Sequence, residues 1–210
     1  MKIINASYEI LRCPNGKMCL LDIEEFGRTC YDSSHKIEEG SAPKFVAMLI
    51  KNGHESVLEH CRITVKFICD RGVSHQLVRA RLASYSQQST RYCNYSKNRF
   101  DNQVTIIKPC FWEDNEPALY TMYNYARAAE EGYMALLERG ATPEEARTLL
   151  PHCTKTEVVM TTNLRHWREV LRQRTHKKAH PQMRELAVPL LAELKTLIPV
   201  VFDDINVEVQ

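Results

Sequence analysis

The segment that decides the fold runs Arg79-Ala80-Arg81-Leu82-Ala83-Ser84-Tyr85-Ser86-Gln87-Gln88-Ser89-Thr90-Arg91-Tyr92. Its three arginines, two glutamines and several hydroxyls supply far more hydrogen-bond donors than a helix needs to stay in water. Arginine presents a planar fork that suits phosphates and carboxylates, and glutamine pairs with both donor and acceptor edges of a heterocycle. The segment therefore predicts a site for an anionic, nitrogen-rich ligand such as a nucleotide.

The first part of this segment is predicted to end a helix. Val73, Leu77 and Val78 begin that helix after a turn at 70–72, and we expect it to run to about Ala83. On it, Arg79 and Arg81 would point about 200° apart, so that one faces solvent or the two serve different ligands. Ser84–Ser89 is poor in apolar residues and is predicted to be a loop that offers backbone N–H groups to an anion.

The rest of the chain alternates helical and strand-like patterns without a strict βαβ rhythm. Strands are predicted at residues 2–10, 61–69, 154–162 and 200–209, and the segment 98–108 is polar and then strand-like. Helices are predicted at residues 41–51, 116–139, 142–151, 163–174 and 181–197. With no repeat or linker in 210 residues, we expect one α+β domain over residues 1–210, a central sheet with flanking helices.

Composition excludes several classes of protein. A net charge of +2 gives no case for bulk nucleic-acid binding, and no apolar run is long enough to span a membrane. The segment 1–5 lacks the apolar region of a signal peptide. The eight cysteines are scattered without a Cys-x-x-Cys pair, so we expect reduced thiols in a cytoplasmic protein. His54 and His60 have the wrong spacing for a metal pair on one helix face, and we predict no metal.

Four blocks of sequence together resemble the flavin-dependent thymidylate synthase family. Arg-x-Arg, seven residues and Ser89 resemble the family's Arg-His-Arg…Ser signature. Three further blocks match in order and spacing: Asn52–His60, Glu145–Pro151, and Asn163-Leu164-Arg165 followed by Leu171–Arg174, Ala179 and Glu185.

The resemblance implies a homotetramer of α+β subunits with active sites at the subunit interfaces. Each site would hold FAD, dUMP, a methylenetetrahydrofolate co-substrate and NADPH as reductant. Reduced flavin would supply the hydride that completes the methyl group of dTMP, with no cysteine nucleophile.

Carried over position by position, the resemblance also implies roles for individual residues. The residues expected to bind dUMP are Gln76, Arg79, Gln87, Gln88, Ser89, Thr90, Arg91, Arg147 and Arg174. Arg174 would be catalytic, since a permanently charged guanidinium stabilises negative charge on the uracil ring. The residues expected to bind FAD are His54, Ser56, Arg79, Ala80, Arg81, Gln87, Asn163 and Arg165.

Four positions depart from the family pattern, and two of them, Glu169 and His180, differ only from the commoner residues at those places. Ala80 stands where the signature has histidine, and Gln87 stands where the family often has glutamate. Three interpretations stay open: a working synthase, a divergent paralogue with other one-carbon chemistry on a pyrimidine nucleotide, and a nucleotide-binding module without turnover.

Overall fold

The computed structural model describes residues 1–208. Its six strands are β1 Lys2–Ile4, β2 Ser7–Arg12, β3 Arg62–Asp70, β4 Ala83–Gln87, β5 Thr105–Ile107 and β6 Lys155–Asn163. Its seven α-helices are α1 Gly16–Thr29, α2 Ser41–Lys51, α3 Arg71–Leu77, α4 Glu116–Glu138, α5 Pro143–Ala146, α6 Leu164–Thr175 and α7 Pro181–Leu197. A 3₁₀ helix spans Glu55–His60, and another follows α5 at Arg147–Leu149.

The strands form two sheets. β1 pairs in parallel with β5, with Ile3 opposite Ile106, and the larger sheet has the order β2-β3-β6-β4. Inward side chains alternate along β3, where Ile63, Val65 and Phe67 are buried, as expected for a strand with period 2. The predicted mixed α/β class with sheets and flanking helices is confirmed.

The chain divides into two compact units. Unit 1 comprises Met1–Tyr8, Lys66–Arg79 and Tyr85–Val159, and unit 2 comprises Glu9–Val65, Ala80–Ser84 and the chain from Met160 onward. In unit 1 the core is a cluster of Tyr95, Val104, Ile106, Ala126, Tyr133 and Ala146. In unit 2, α6 packs on α7 and α1 on α2, with Trp167 fully buried. A single domain over residues 1–210 stays a prediction.

Most predicted elements are confirmed, because local signals specify them. The helices at 41–51 and 181–197 have the predicted bounds. Thr142 and Glu145 form the predicted capping box, and Gly140, at φ +91°, follows the end of α4. All eight cysteines are free thiols.

Five expectations are wrong. The turn expected at 70–72 is absent, because β3 leads directly into α3. The single strand expected at 2–10 is two strands, β1 and β2, which belong to different sheets. The helix predicted to reach Ala83 ends at Leu77, and Ala83–Gln87 is a strand rather than a loop. This strand lies at the edge of the larger sheet, where polar side chains are common because one side of the strand is exposed. Directly after the strand, the N–H of Gln88 donates to the carbonyl of Glu157 at 2.9 Å. Residues 200–208 contain turns instead of a closing strand, and residue 209 lies outside the described chain. Helix α1 was not predicted at all.

No helix within residues 1–208 combines the length and apolarity needed to cross a membrane.

Candidate functional site

The N-terminus of α6 positions two of the predicted cofactor residues. Asn163 caps this helix, and its Oδ1 accepts a hydrogen bond from the His166 amide at 2.9 Å. The amide of Leu164 donates to the carbonyl of Cys61 at 3.0 Å, which ties the helix start to the segment before β3. The cap contact fixes the orientation of the Asn163 side chain at the start of α6.

The 3₁₀ helix Glu55–His60 is held against α6 by two ion pairs. Glu55 accepts from Arg168 at 3.0 Å, and Glu59 accepts from Arg165 at 2.6 Å. The hydrogen bond from Arg165 to Glu59 raises the pKa of the guanidinium, so Arg165 stays charged. Because Ser56 lies between these anchored carboxylates, its position is set by both contacts.

Two cavities of unit 2 collect four of the predicted cofactor residues. The Asn163 cavity, about 520 Å³, is lined by Glu59, Leu82, Asn163, Arg165, His166 and Glu169. The His54 cavity, about 360 Å³, includes His54, Ser56, Tyr31 and Arg165 in its lining. Arg165 therefore borders both cavities, and the hydroxyl of Tyr31 lies 3.2 Å from Nδ1 of His54.

A third cavity of unit 2, the Arg62 cavity, lies along β4 and β6. It measures about 240 Å³ and is lined by Arg62, Leu82, Ala83, Ser84, Thr161, Thr162 and Asn163. The hydroxyl of Thr162 donates to the carbonyl of Leu82 at 2.5 Å, which fixes the chain just before β4. Sequence reasoning missed Arg62, because a single exposed arginine at a strand start carries no motif.

The predicted Arg-x-Arg pair lies outside any helix. Arg79 and Arg81 are exposed, and Ala80 is half-buried, in the turn and bend between α3 and β4. The expected 200° separation on a helix therefore does not apply. Arg79 belongs to unit 1, and Ala80 and Arg81 belong to unit 2.

The predicted substrate residues of unit 1 are organised around β4 and the loop after it. Gln87 donates from Nε2 to the hydroxyls of Ser74, at 3.0 Å, and Thr156, at 3.3 Å. Gln88 has a buried Oε1 without a hydrogen-bond partner among the described residues. A buried, unpaired acceptor is costly, so this oxygen is a candidate acceptor for a ligand donor.

Arg147 and Arg91 extend this group. Nη1 of Arg147 lies 3.4 Å from the hydroxyl of Thr90, and Arg91 pairs with Glu144 at 3.6 Å. The Arg91 amide donates to the hydroxyl of Ser89 at 3.2 Å, which tightens the loop. The structure thus brings together the predicted residues Gln87 to Arg91 and Arg147. Gln76 lies in the same unit, on α3.

Four residues that sequence reasoning missed line a cavity beside Thr90 and Arg147. This Arg71 cavity, about 240 Å³, includes Arg71, His75, Thr90, Arg147, His152 and Thr154 in its lining. The sequence offered one signal for two of these residues, their closeness to the resembling blocks: Arg71 lies five positions before Gln76, and His152 directly follows Pro151.

Arg174 lies in the last turn of α6, in unit 2, and is half-buried. Its placement at the helix C-terminus suits a cation, because the helix dipole is negative there.

Comparison with known proteins places the chain among relatives. A family model described as thymidylate synthase complementing protein matches residues 20–200. A flavin-dependent thymidylate synthase of Geobacter sulfurreducens is 33% identical over 184 residues, covering 84% of this chain and 78% of that protein. One from Pyrococcus furiosus is 33% identical over 174 residues, covering 82% and 70%. One from Mycobacterium bovis is 31% identical over 203 residues, covering 88% and 79%.

A solved structure shows the same fold. It is described as the UMP/dUMP methylase PolB from Streptomyces cacaoi bound with 5-Br dUMP. The TM-score is 0.82, with 20% identity over 97% of this chain and 96% of the other.

Proposed function

The chain belongs to the thymidylate synthase complementing protein family, and from this membership we propose that it is a flavin-dependent thymidylate synthase. It converts dUMP to dTMP, with methylenetetrahydrofolate as one-carbon donor and NADPH-reduced FAD as hydride source. The observation that carries the proposal is the family match over residues 20–200. The four predicted cofactor residues on the Asn163 and His54 cavities support it.

The hydrogen-bond donors and acceptors that line the Asn163 cavity suit FAD. Arg165 and the start of α6 offer positive charge to a pyrophosphate, as helix N-termini commonly do. Glu59 and Glu169 also line the cavity and offer acceptors to ribose hydroxyls. A flavin bound here supplies hydride chemistry. The protein's part is to hold it, through Asn163 and Arg165, and to orient it through Ser56 and His54.

We assign the dUMP-binding part of the proposed active site to the residues around β4. Gln88 supplies an unpaired, buried acceptor that suits an N–H of a pyrimidine, and Arg147 and Arg91 supply charge for its phosphate. Arg174 stabilises negative charge on the uracil ring, because a guanidinium remains protonated at any working pH. No cysteine is required as nucleophile in this scheme.

A second candidate function rests on two observations. Ala80 replaces the histidine of the family signature, which removes an imidazole beside the proposed flavin. The solved structure with the same fold is named as a methylase of UMP as well as of dUMP. A divergent enzyme that performs other one-carbon chemistry on a pyrimidine nucleotide is therefore the alternative; a nucleotide-binding module without turnover is the third.

One assay separates these functions. The purified protein is loaded with FAD, its flavin absorption is recorded, and it is incubated with NADPH, methylenetetrahydrofolate and either dUMP or UMP. Thymidylate from dUMP supports the synthase. A hydroxymethylated base, or methylation of UMP in preference to dUMP, supports the divergent enzyme. Protein that binds dUMP but stays colourless with added FAD supports the binding module and defeats the flavin assignment.

We also propose a homotetramer in which the active sites lie at subunit interfaces. Sedimentation equilibrium of the FAD-loaded protein tests the assembly, and a monomer with full activity would contradict it.

A further inference from the structure

A histidine of α6 that no motif of the sequence assigns lines the Asn163 cavity. His166 lies in the first turn of α6 and borders this cavity of about 520 Å³. Its backbone amide donates to Oδ1 of Asn163 at 2.9 Å, and its ring nitrogen Nδ1 lies 3.0 Å from Oε2 of Glu169. The backbone and the ring of His166 are therefore both held in place before any ligand binds.

The contact with Glu169 decides which ring nitrogen of His166 carries the proton. An ionised carboxylate only accepts hydrogen bonds, so Nδ1 of His166 is the donor in this pair. In a neutral imidazole one nitrogen is protonated and the other keeps a free lone pair. Nε2 of the neutral ring is therefore a hydrogen-bond acceptor, and its natural partner is an O–H or N–H group.

The burial of Nε2 gives an independent indication of a ligand. Only 7% of His166 is exposed, and its Nε2 is buried without a hydrogen-bond partner within residues 1–208. Because buried polar atoms in native proteins are nearly always hydrogen-bonded, this nitrogen requires a partner that the described chain does not supply. Since His166 lines the Asn163 cavity, a ligand in that cavity is placed to provide it.

We propose that His166 is a further FAD-binding residue, whose Nε2 accepts a hydrogen bond from an O–H or N–H group of the cofactor. This inference rests on the proposed function, which assigns FAD to the Asn163 cavity. FAD carries such donors on its ribityl chain, its ribose and both of its ring systems. The family signature has a histidine at the position of Ala80, so His166 gives the proposed flavin site an imidazole from a different element.

The test measures FAD affinity by fluorescence titration of the full-length, flavin-free protein. His166→Phe keeps a ring but removes both nitrogens, and His166→Gln offers an amide oxygen as acceptor in place of Nε2. His35→Phe replaces an exposed histidine of the same unit and is the matched control. FMN and AMP, the two halves of FAD, report which half reaches His166. Thermal melts report whether each variant folds.

His166→Phe is expected to weaken FAD binding about threefold to tenfold, typical of losing one hydrogen bond between neutral groups. One of FMN and AMP should be weakened by a similar factor, and the other should bind as it does to the wild type. His166→Gln should stay within about threefold of the wild type, and His35→Phe should match it.

A second measurement needs no stable variant. In wild-type protein with ¹⁵N-labelled histidine rings, the NMR signal of the unprotonated Nε2 of His166 should shift when FAD is added, because accepting a hydrogen bond changes the shielding of the nitrogen. Its absence from the spectrum of His166→Gln or His166→Phe assigns the signal.

Unchanged FAD affinity in His166→Phe would overturn the inference, since water would then be the partner of Nε2. The same holds for equal weakening in His166→Phe and His166→Gln, for equal weakening of FMN and AMP, and for an Nε2 signal that FAD does not shift. Failure of the proposed function looks different. In that case the wild type binds FAD with the expected dependence on His166 but forms no thymidylate.

Discussion

Oε1 of Glu55 accepts two hydrogen bonds from the guanidinium of Arg168, from Nε at 3.2 Å and from Nη2 at 3.0 Å. The other edge of the guanidinium donates to Asp204 at 2.7 and 2.9 Å and to the carbonyl of Val201. Arg168 is fully buried. One side chain of α6 thus connects the 3₁₀ helix that carries Ser56 with the turns after α7, and its donors are satisfied by this arrangement.

Arg168→Met is expected to destabilise the protein by about 3 kcal/mol, because it leaves the Glu55 carboxylate without its main buried partner. Arg172→Met is the matched control, since Arg172 approaches the same two carboxylates but is 44% exposed. Arg172→Met is expected to lower the free energy of unfolding by less than about 1 kcal/mol. Urea unfolding of both variants measures the difference, and equal losses would contradict the role given to burial.

The Asp204 carboxyl predicts a dependence of stability on pH. Burial works to raise its pKa, but hydrogen bonds and charges from Arg168 and Arg172 outweigh burial and lower it. The folded-state pKa is therefore below the unfolded value of about 3.9, so the stabilisation is present above about pH 4 and is lost as the pH falls through the folded pKa. Asp204→Asn should be less stable than the wild type at pH 7, and the difference in the free energy of unfolding should close as the pH falls below about 4, measured by urea titrations at each pH. A gap independent of pH would show that the charge is not responsible.

Asn163 is predicted to have two separable roles, which two substitutions distinguish. Asn163→Asp keeps an oxygen that accepts from the His166 amide, so stability should be retained, but a negative charge beside the proposed pyrophosphate should weaken FAD binding. Asn163→Ala removes both groups and should also lower stability by about 1 kcal/mol. FAD titration and urea unfolding are the two measurements. Wild-type FAD affinity in Asn163→Asp would remove Asn163 from the cofactor site.

Gln87→Glu is expected to destabilise unit 1 even though the family often has glutamate there. The hydroxyl of Ser74 already donates to the carbonyl of Arg71, so it can only accept from residue 87, and a carboxylate offers no proton. The loss should be about 1 kcal/mol, or about 2–4 °C in melting temperature. Differential scanning calorimetry checks it, and an unchanged melting temperature would mean that Arg71 compensates as a new ion-pair partner.

Arg174→Ala is expected to abolish thymidylate formation while FAD remains bound, because the charge that stabilises the ionised uracil is removed. Single-turnover product analysis and the flavin spectrum measure the two properties. Arg172→Ala removes an arginine two positions earlier on the same helix and should retain turnover. Surviving turnover in Arg174→Ala would remove Arg174 from the catalytic role.

Local chemistry explains which elements could be predicted from the sequence. Asn163 before α6, the Thr142–Glu145 capping box and Gly140 after α4 are signals confined to a few residues, and each is confirmed. Helix α1 also has a local cap, Asn15, whose side chain accepts from the Met18 amide at 3.1 Å. The sequence therefore contains a local start signal for α1 as well.

In the segment 79–92, local sequence signals were not sufficient to predict the secondary structure. Its polar composition predicted a loop after a longer helix, but the chain instead forms edge strand β4. Strand formation there depends on hydrogen bonds with a segment far away in sequence, as the Gln88 amide and the Glu157 carbonyl illustrate. Such pairing leaves no periodic signal in an edge strand with exposed polar side chains.

The sequence by itself determined the family, the order of most helices and strands, and the residue types offered to ligands, because motif spacing and helix caps are properties of short segments. Only the tertiary structure decided which residues share a cavity. Arg71, His152 and Thr154 come from separate segments and meet beside Arg147 through folding alone. Likewise, the burial of Arg168 between Glu55 and Asp204 depends on contacts between distant segments, which no local pattern encodes.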